Sequence, residues 1–377
     1  MNEKEVSEIR RRFRPDKNNI SSLHGCLVNE NREIVSEFEQ SLLTSPQEET
    51  ENILTVLRRT LSGGLGKNLI DIEFETQQVA GSEEHGLLMA LRNSALKDPE
   101  AVHAFYEKVI PTLKLEGNYL ILLVHDTYDV PFHTGDGQRL EDASSEVYSY
   151  VLCSICPVKM SKPALSYYMT EQQFHNCKID WLVAAPELGF LFPAFDDRST
   201  NIYDALYYSK NTATGHPEFV DAVFRRPLPM PAQLQKETFQ GLLENVLEEN
   251  CSYDVIEGVH DRLCGLIAEH KESREEEPLV VTGRMVKGVL SACGVPSGSL
   301  ENFEERYSAA FGPQESLPPA NIVDPRKLEV QTPDVTIQIH SDRRDLVQTR
   351  ILDGARYIMI RADEGVTVNG IHVRIDE

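Results

Sequence analysis

Long apolar runs are missing from this chain. None approaches the ~18 residues that a membrane helix needs. No membrane partner is therefore expected. Met1 to Glu5 hold no apolar stretch, so no secretory leader is expected, and the location read from the sequence is cytoplasmic. Cysteine is sparse, seven in 377 residues and odd in number. That excludes a disulfide-stapled scaffold and predicts reduced thiols. Basic residues are also short, 37 Lys plus Arg against 60 Asp plus Glu, for a formal charge of -23. Such a surface repels phosphate backbones and anionic lipid, which leaves only local contacts with either. Internal repeats, low-complexity tracts, hydrolase elbows, kinase signatures and dinucleotide fingerprints are absent as well.

What is present is globular. A hydrophobic share of 41% with 26% charged residues is enough for a buried core in a chain of this length. The patterning predicts an α+β fold: a mixed sheet with packed helices, an acidic helical middle and a small C-terminal β unit. The expected domains are 1–224, 232–312 and 325–377, separated by proline-bearing stretches at 225–231 and 312–324. Leu23 to Val28 and Glu33 to Phe38 read as a hairpin. Ser45-Pro46 and Asp98-Pro99 read as helix starts. Tyr119 to Val124 reads as a strand buried on both faces. Glu141 to Ser145 reads as loop, and Val147 to Val158 as a strand. Trp181 to Ala185 and Leu188 to Phe195 follow as a strand pair, and a helix is expected from Ile202 to Tyr208. Asp353-Gly354 and Asn369-Gly370 are tight-turn signals in the C-terminal strands.

Four groups of residues could carry chemistry. Arg10, Arg11, Arg12 and Arg14, with Lys17, form a local basic patch, the one route by which this chain could touch nucleic acid. The alternative is a solvated helix face, because Val6, Ile9 and Phe13 make an apolar stripe at helical spacing. His125, Asp126 and Asp129 follow the buried strand and could hold a divalent metal or do acid–base work; the alternative is a polar turn running into Pro131. Asp196, Asp197, Arg198, Ser199 and Asn201 sit where the chain leaves an apolar stretch. They are expected at a strand-to-helix junction, as a binding site, as a helix cap, or both. Cys153, Cys156, His175 and Cys177 have the residue types of a zinc site. Positions three apart in a strand face opposite ways, however, so buried inert thiols are the favoured reading and no metal or other cofactor is expected. Gly63 to Asn68 has phosphate-loop residues in the wrong context, after a helix and before a strand, and reads as a helix C-terminus.

Three stretches carry a resemblance: IRRRFRPDKNN at Ile9 to Asn19, PELGFLFPAFDDRS at Pro186 to Ser199, and Thr332 to Gly370 with TPDVTIQI and IRADEGVTVNG. Together they resemble an uncharacterised bacterial family described only as a domain of unknown function, over the full length of the chain. That resemblance implies no activity, cofactor or catalytic residue. The first third, ending near LEGNYLILLVHD at Leu115 to Asp126, is similar in element order to the N-terminal part of a bacterial nucleoid-associated protein family. The expected function is a non-catalytic binding or scaffold role, on a nucleoid or ribonucleoprotein particle, with a protein as the foremost partner and local nucleic-acid contact as a further one. The alternative is a metal-dependent hydrolase using His125, Asp126 and Asp129 with Asp196 and Asp197.

Overall fold

The apolar run at Tyr119 to Val124 is the middle of the molecule's largest structure. In the computed structural model it opens β4 (Tyr119–His133), which pairs with β5 (Arg139–Met160) from Tyr119 opposite Pro157 to His133 opposite Arg139. The structure describes all residues except 134–138, 162–164, 177–179, 214, 274–278, 313–315, 341–342, 344–345, 364, 369–370 and 374–377. The chain divides into two compact units, Met1–Ala232 and Gln233–Glu377.

In the first unit, helix α1 (Glu3–Arg12) precedes the hairpin β1 (Ser22–Val28) and β2 (Ile34–Ser41). Then come α2 (Gln47–Arg58), β3 (Leu69–Glu73), α3 (Thr76–Gly81), α4 (Glu83–Asn93) and α5 (Pro99–Val109). After β4 and β5 follow a hairpin of β6 (Leu165–Tyr168) and β7 (Gln173–Asn176), then β8 (Trp181–Val183) and β9 (Leu188–Phe192). A second hairpin, β10 (Ala194–Asp196) and β11 (Ser199–Asn201), leads to β12 (Asp204–Ser209) and α6 (Pro217–Phe224). The main sheet has the order β2-β1-β4-β5-β9-β12-β3, with β8 also paired to β5. Its ladders are antiparallel throughout, so the sheet is not mixed as expected.

Alternation along the central strands explains why their sequence looks uniformly apolar. Ile121 and Leu123 pack with Leu88, Phe105, Val109 and Phe219 of α4, α5 and α6. Leu122 and Val124 pack on the other face with Val6, Ile9, Leu54 and Leu57 of α1 and α2. The central strands are thus covered on both sides, and each large apolar side chain buried there contributes about 2 kcal/mol, whereas β2 and β8 at the margins stay exposed. The same double burial corrects the helix expected at 202–208. Ile202 and Tyr203 form a turn and the rest belongs to β12, buried from Ala205 to Ser209, and a strand covered on both faces carries no period-2 signal. Glu141 to Ser145 belongs to β5 rather than a loop. Asp98 caps α5 as expected, accepting from the N–H groups of Glu100 and Ala101. Ser45 does not cap α2; its hydroxyl donates to the Ser41 carbonyl instead. The strands expected around Pro186 do not pair with each other. β8 and β9 each pair with β5, at successive stretches.

The second unit holds α7 (Ala232–Leu247), α8 (Tyr253–Ser273), α9 (Gly283–Ala292), α10 (Phe303–Phe311) and α11 (Pro319–Ile322). The short β13 (Val281–Thr282) and β14 (Ser316–Leu317) pair beside them. Three two-stranded ladders follow: β15 (Lys327–Gln331) with β16 (Thr336–His340), β17 (Val347–Leu352) with β18 (Ala355–Ile360), and β19 (Val366–Val368) with β20 (Ile371–Val373). Asp353-Gly354 forms the β17–β18 turn, both at positive φ. Asn369-Gly370 lies outside the described residues.

Candidate functional site

Helix α1 is built to show one face to the core and another to solvent. Asn2 and Glu5 form a capping box at its start, and Val6, Ile9 and Phe13 are buried. The same 3.6-residue period turns Arg11 to solvent and leaves Glu8 and Arg12 half-buried at the edge of the core. After Phe13 the chain turns back through Asp16, Lys17, Asn18 and Asn19. Asn18 Nδ2 donates to the Arg14 carbonyl, and its Oδ1 accepts from the Ile20 N–H at 3.1 Å.

This segment is fastened to β4 through one carboxylate. Asp126 is fully buried. Its oxygens accept from the Asn19 N–H at 2.7 Å, the Tyr150 hydroxyl at 2.8 Å and Arg12 Nε at 3.3 Å. Arg12 also donates to the Thr127 carbonyl at 3.1 Å, and its guanidinium lies 4.8 Å from the centre of the Tyr128 ring. A buried carboxylate with this many donors is a structural fastening, and its proximity to Arg12 joins two of the candidate groups.

The second fastening comes from the β10–β11 hairpin. Asp196 pairs with Ser199, leaving Asp197 and Arg198 as a two-residue loop with φ of 47° and 56°. Positive φ at both central positions is the type I′ geometry that suits a tight hairpin. The expected strand-to-helix junction is therefore a β-turn, and Ser199 and Asn201 cap no helix. The turn aims Arg198 at α1, where it donates to Glu8 at 2.7 Å and to the Pro131 carbonyl at 3.2 Å. Glu8 also accepts from the Tyr128 hydroxyl at 2.5 Å. Asn201 Nδ2 bridges Asp196 and Asp204.

Together these elements line a groove of about 650 Å³ bordered by Glu8, Arg11, Arg12, Asp16, Lys17, Asn18, Asn19, Tyr128, Asp129 and Arg198. A neighbouring cleft of about 660 Å³ shares Glu8, Arg11 and Arg198 with it. Of the expected basic residues, Arg11 and Arg12 reach the groove. Arg10 is turned to the Leu61 carbonyl, and Arg14 is exposed outside the groove. Arg11 and Lys17 are exposed on its rim. Glu8, Tyr128 and Asn19 belong to the site although no sequence signal marked them. Asn19 does close the IRRRFRPDKNN stretch, and Arg198 lies in PELGFLFPAFDDRS, so two of the three resemblance-bearing segments meet here.

The other candidates do not converge. His125 lies inside β4, and the pleat points it away from Asp126, toward Ser149, whose hydroxyl is 2.8 Å from Nε2. Burial pushes the His125 pKa down, which keeps the ring neutral near pH 7. Asp129 reaches the groove, whereas Asp196 turns to Asn201 and the Met1 ammonium. Among the described residues no three His, Cys, Asp or Glu side chains are grouped to hold a metal ion. Cys153 packs on one face of the sheet and Cys156 on the other, and burial raises both thiols, Cys156 to about 12. His175 is exposed and bonds Glu171 at 2.9 Å, while Cys177 lies outside the described residues. Gly63 (φ 98°) and Gly66 (φ 70°) do follow a helical turn, as a C-terminal stop requires.

Compared with known proteins, the sequence matches a family model described as Domain of unknown function (DUF4317) over residues 1–371. No curated protein matches it.

Proposed function

The chain belongs to the DUF4317 family, and from that premise we propose that it is a non-catalytic binding protein whose groove beside α1 takes the phosphate groups of a nucleic acid. One observation carries this reading. In a chain of net charge -23, four cationic side chains from two segments far apart in sequence, Arg11, Arg12 and Lys17 with Arg198, line a single groove. Arg12 and Arg198 are fixed by Asp126 and Glu8, so they hold the shape and polarity of the wall. Among the described residues, the side chains of Arg11 and Lys17 on the rim make no hydrogen bond or ion pair, the arrangement of residues that reach for a ligand. Asn18 and Asn19 add amide groups suited to phosphate and sugar oxygens. The acidic remainder of the surface confines contact to this groove, as expected of a protein that docks locally on a nucleoid or ribonucleoprotein particle.

The hydrolase alternative draws no support from this geometry, because the pleat of β4 separates His125 from Asp126 and the fastening of α1 consumes Asp126. The test is binding of a labelled oligonucleotide to the full chain across a salt series. Arg11→Ala with Lys17→Ala should weaken binding about equally for all sequences and lower the salt slope by about 1 per lost contact. Binding that is unchanged in this double variant would overturn the reading.

A further inference from the structure

Toward its C-terminal end, away from the groove at Tyr128 and Asp129, β5 leaves the main sheet as part of an arm. There it pairs with β8, from Val158 opposite Val183 to Met160 opposite Trp181. Beyond, β6 pairs with β7, from Leu165 opposite Asn176 to Tyr168 opposite Gln173, and the two ladders share one register. Alternation gives the β6–β7 ladder two unlike faces. Leu165 and Tyr167 share one face with Phe174, which lies opposite Tyr167 with ring centres 5.2 Å apart. Ser166 and Tyr168 share the other with Gln173 and His175, and the Tyr168 and His175 rings are 5.0 Å apart. The arm is thus amphipathic, yet among the described residues its apolar face packs on no core. Leu165, Tyr167 and Phe174 are 69%, 53% and 69% exposed, and Met169 at the tip is 83% exposed. A two-stranded ladder is marginal in water until such a face is covered, and an apolar patch of this kind marks an interaction surface.

Charge and area select what covers it. Residues 159–183 hold three lysines, Lys159, Lys162 and Lys178, against two acids, Glu171 and Asp180, a balance of +1 in a chain of -23. Two copies of so acidic a chain repel each other over most of their surfaces, and the arm is where that repulsion is weakest. An apolar face is also complementary to itself, as a twofold contact between copies requires. Its four side chains, at roughly 200 Å² each and more than half exposed, offer on the order of 500 Å² per chain. Two arms together bury about 1,000 Å², the floor for a specific interface. We infer that the arm is a dimerisation surface, covered by the arm of a second copy of this chain, apolar face against apolar face. An area at that floor makes a reversible dimer rather than an obligate one.

The experiment is sedimentation of the full chain over a concentration series of ~1–100 μM, at low and at raised salt. The mass should climb from one chain to two across that range. Raised salt should move the midpoint to lower concentration, because it screens the repulsion between the acidic bodies. Tyr167→Ser with Phe174→Ser should weaken association at least about tenfold. Both side chains are exposed, so the melting temperature should hold. Tyr168→Ser, on the opposite face, should leave the midpoint where it was. A single chain at the highest concentration overturns the proposal, and so does a dimer that the double variant leaves intact. A double variant that sediments like the parent but no longer binds a labelled oligonucleotide would assign the arm to nucleic acid and overturn it as well.

Discussion

Asp204 shows how a single carboxyl can work against its own fold. It opens β12 opposite Glu73, half-buried, with Asn201 Nδ2 at 2.6 Å. Burial first, then the nearby charges of Asp71 and Glu73, push its pKa up to about 6, while the Met1 ammonium opposes them. An unfolded Asp titrates near ~4, so between those values the native state holds the proton that the unfolded chain has lost. Stability from this group is therefore fully present at and below about pH 4, is lost as pH rises from there through about 6, and stays lower above. Asp204→Asn should raise the melting temperature relative to the parent near neutral pH, and the gap should close toward about pH 4. A variant that melts lower than the parent at both values would show that the charge is wanted. None of this was legible in the sequence. Asp196 to Asn201 stood out as an excess of polar residues, but their partners, Glu8, Asp204 and the Met1 ammonium, come from distant segments.

At the scale of elements, α1 is an outlying helix held by a few polar contacts as well as its apolar stripe. Asp126 and Arg12 are 114 residues apart in sequence and meet in the interior at 3.3 Å. Removing one partner of a buried pair strands the other, which typically costs about 3 kcal/mol or more. Asp126→Asn should lower stability by about 3 kcal/mol, the low end, because Arg12 keeps the Thr127 carbonyl and the Tyr128 ring. A shifted urea midpoint measures this, and a shift under about 0.5 kcal/mol would show that the stripe of Val6, Ile9 and Phe13 suffices. The helix itself was legible from that stripe, as were α5 from Asp98-Pro99 and β1–β2 from the turn at Asn29, Glu30 and Asn31 between two short runs. β12 was misread because Ile202, Ala205 and Leu206 also fit a helical spacing. The β10–β11 turn was missed because Asp197-Arg198 is not an Asn-Gly type signal, although both residues adopt positive φ.

For the whole molecule, Met1–Ala232 contains the complete main sheet and both of its packed faces. A fragment of residues 1–232 should therefore melt cooperatively, with one transition and near-ultraviolet dichroism from its buried tyrosines. A fragment that exposes apolar surface or shows no transition would mean that the first unit depends on the second. The α+β class was readable from element types alone. The antiparallel order was not, since it is set by which strands meet, and the pairing of β3 with β12 joins segments that share no local signal.

That pairing also imposes an order in time on a chain being made. β3 ends at Glu73, and its partner β12 spans Asp204–Ser209, so well over a hundred residues must be added before the two can join. At ~5–20 residues per second, β3 waits on the order of ten seconds beside the ribosome with its backbone unpaired. The hairpin β1–β2 and helix α1 emerge earlier still, yet Arg12 and Asn19 cannot find Asp126 until β4 is out. The nascent chain thus carries its arginine-rich helix without its Asp126 fastening through about the first third of its synthesis. A chaperone that recognises short apolar-basic segments would meet that helix before the sheet does.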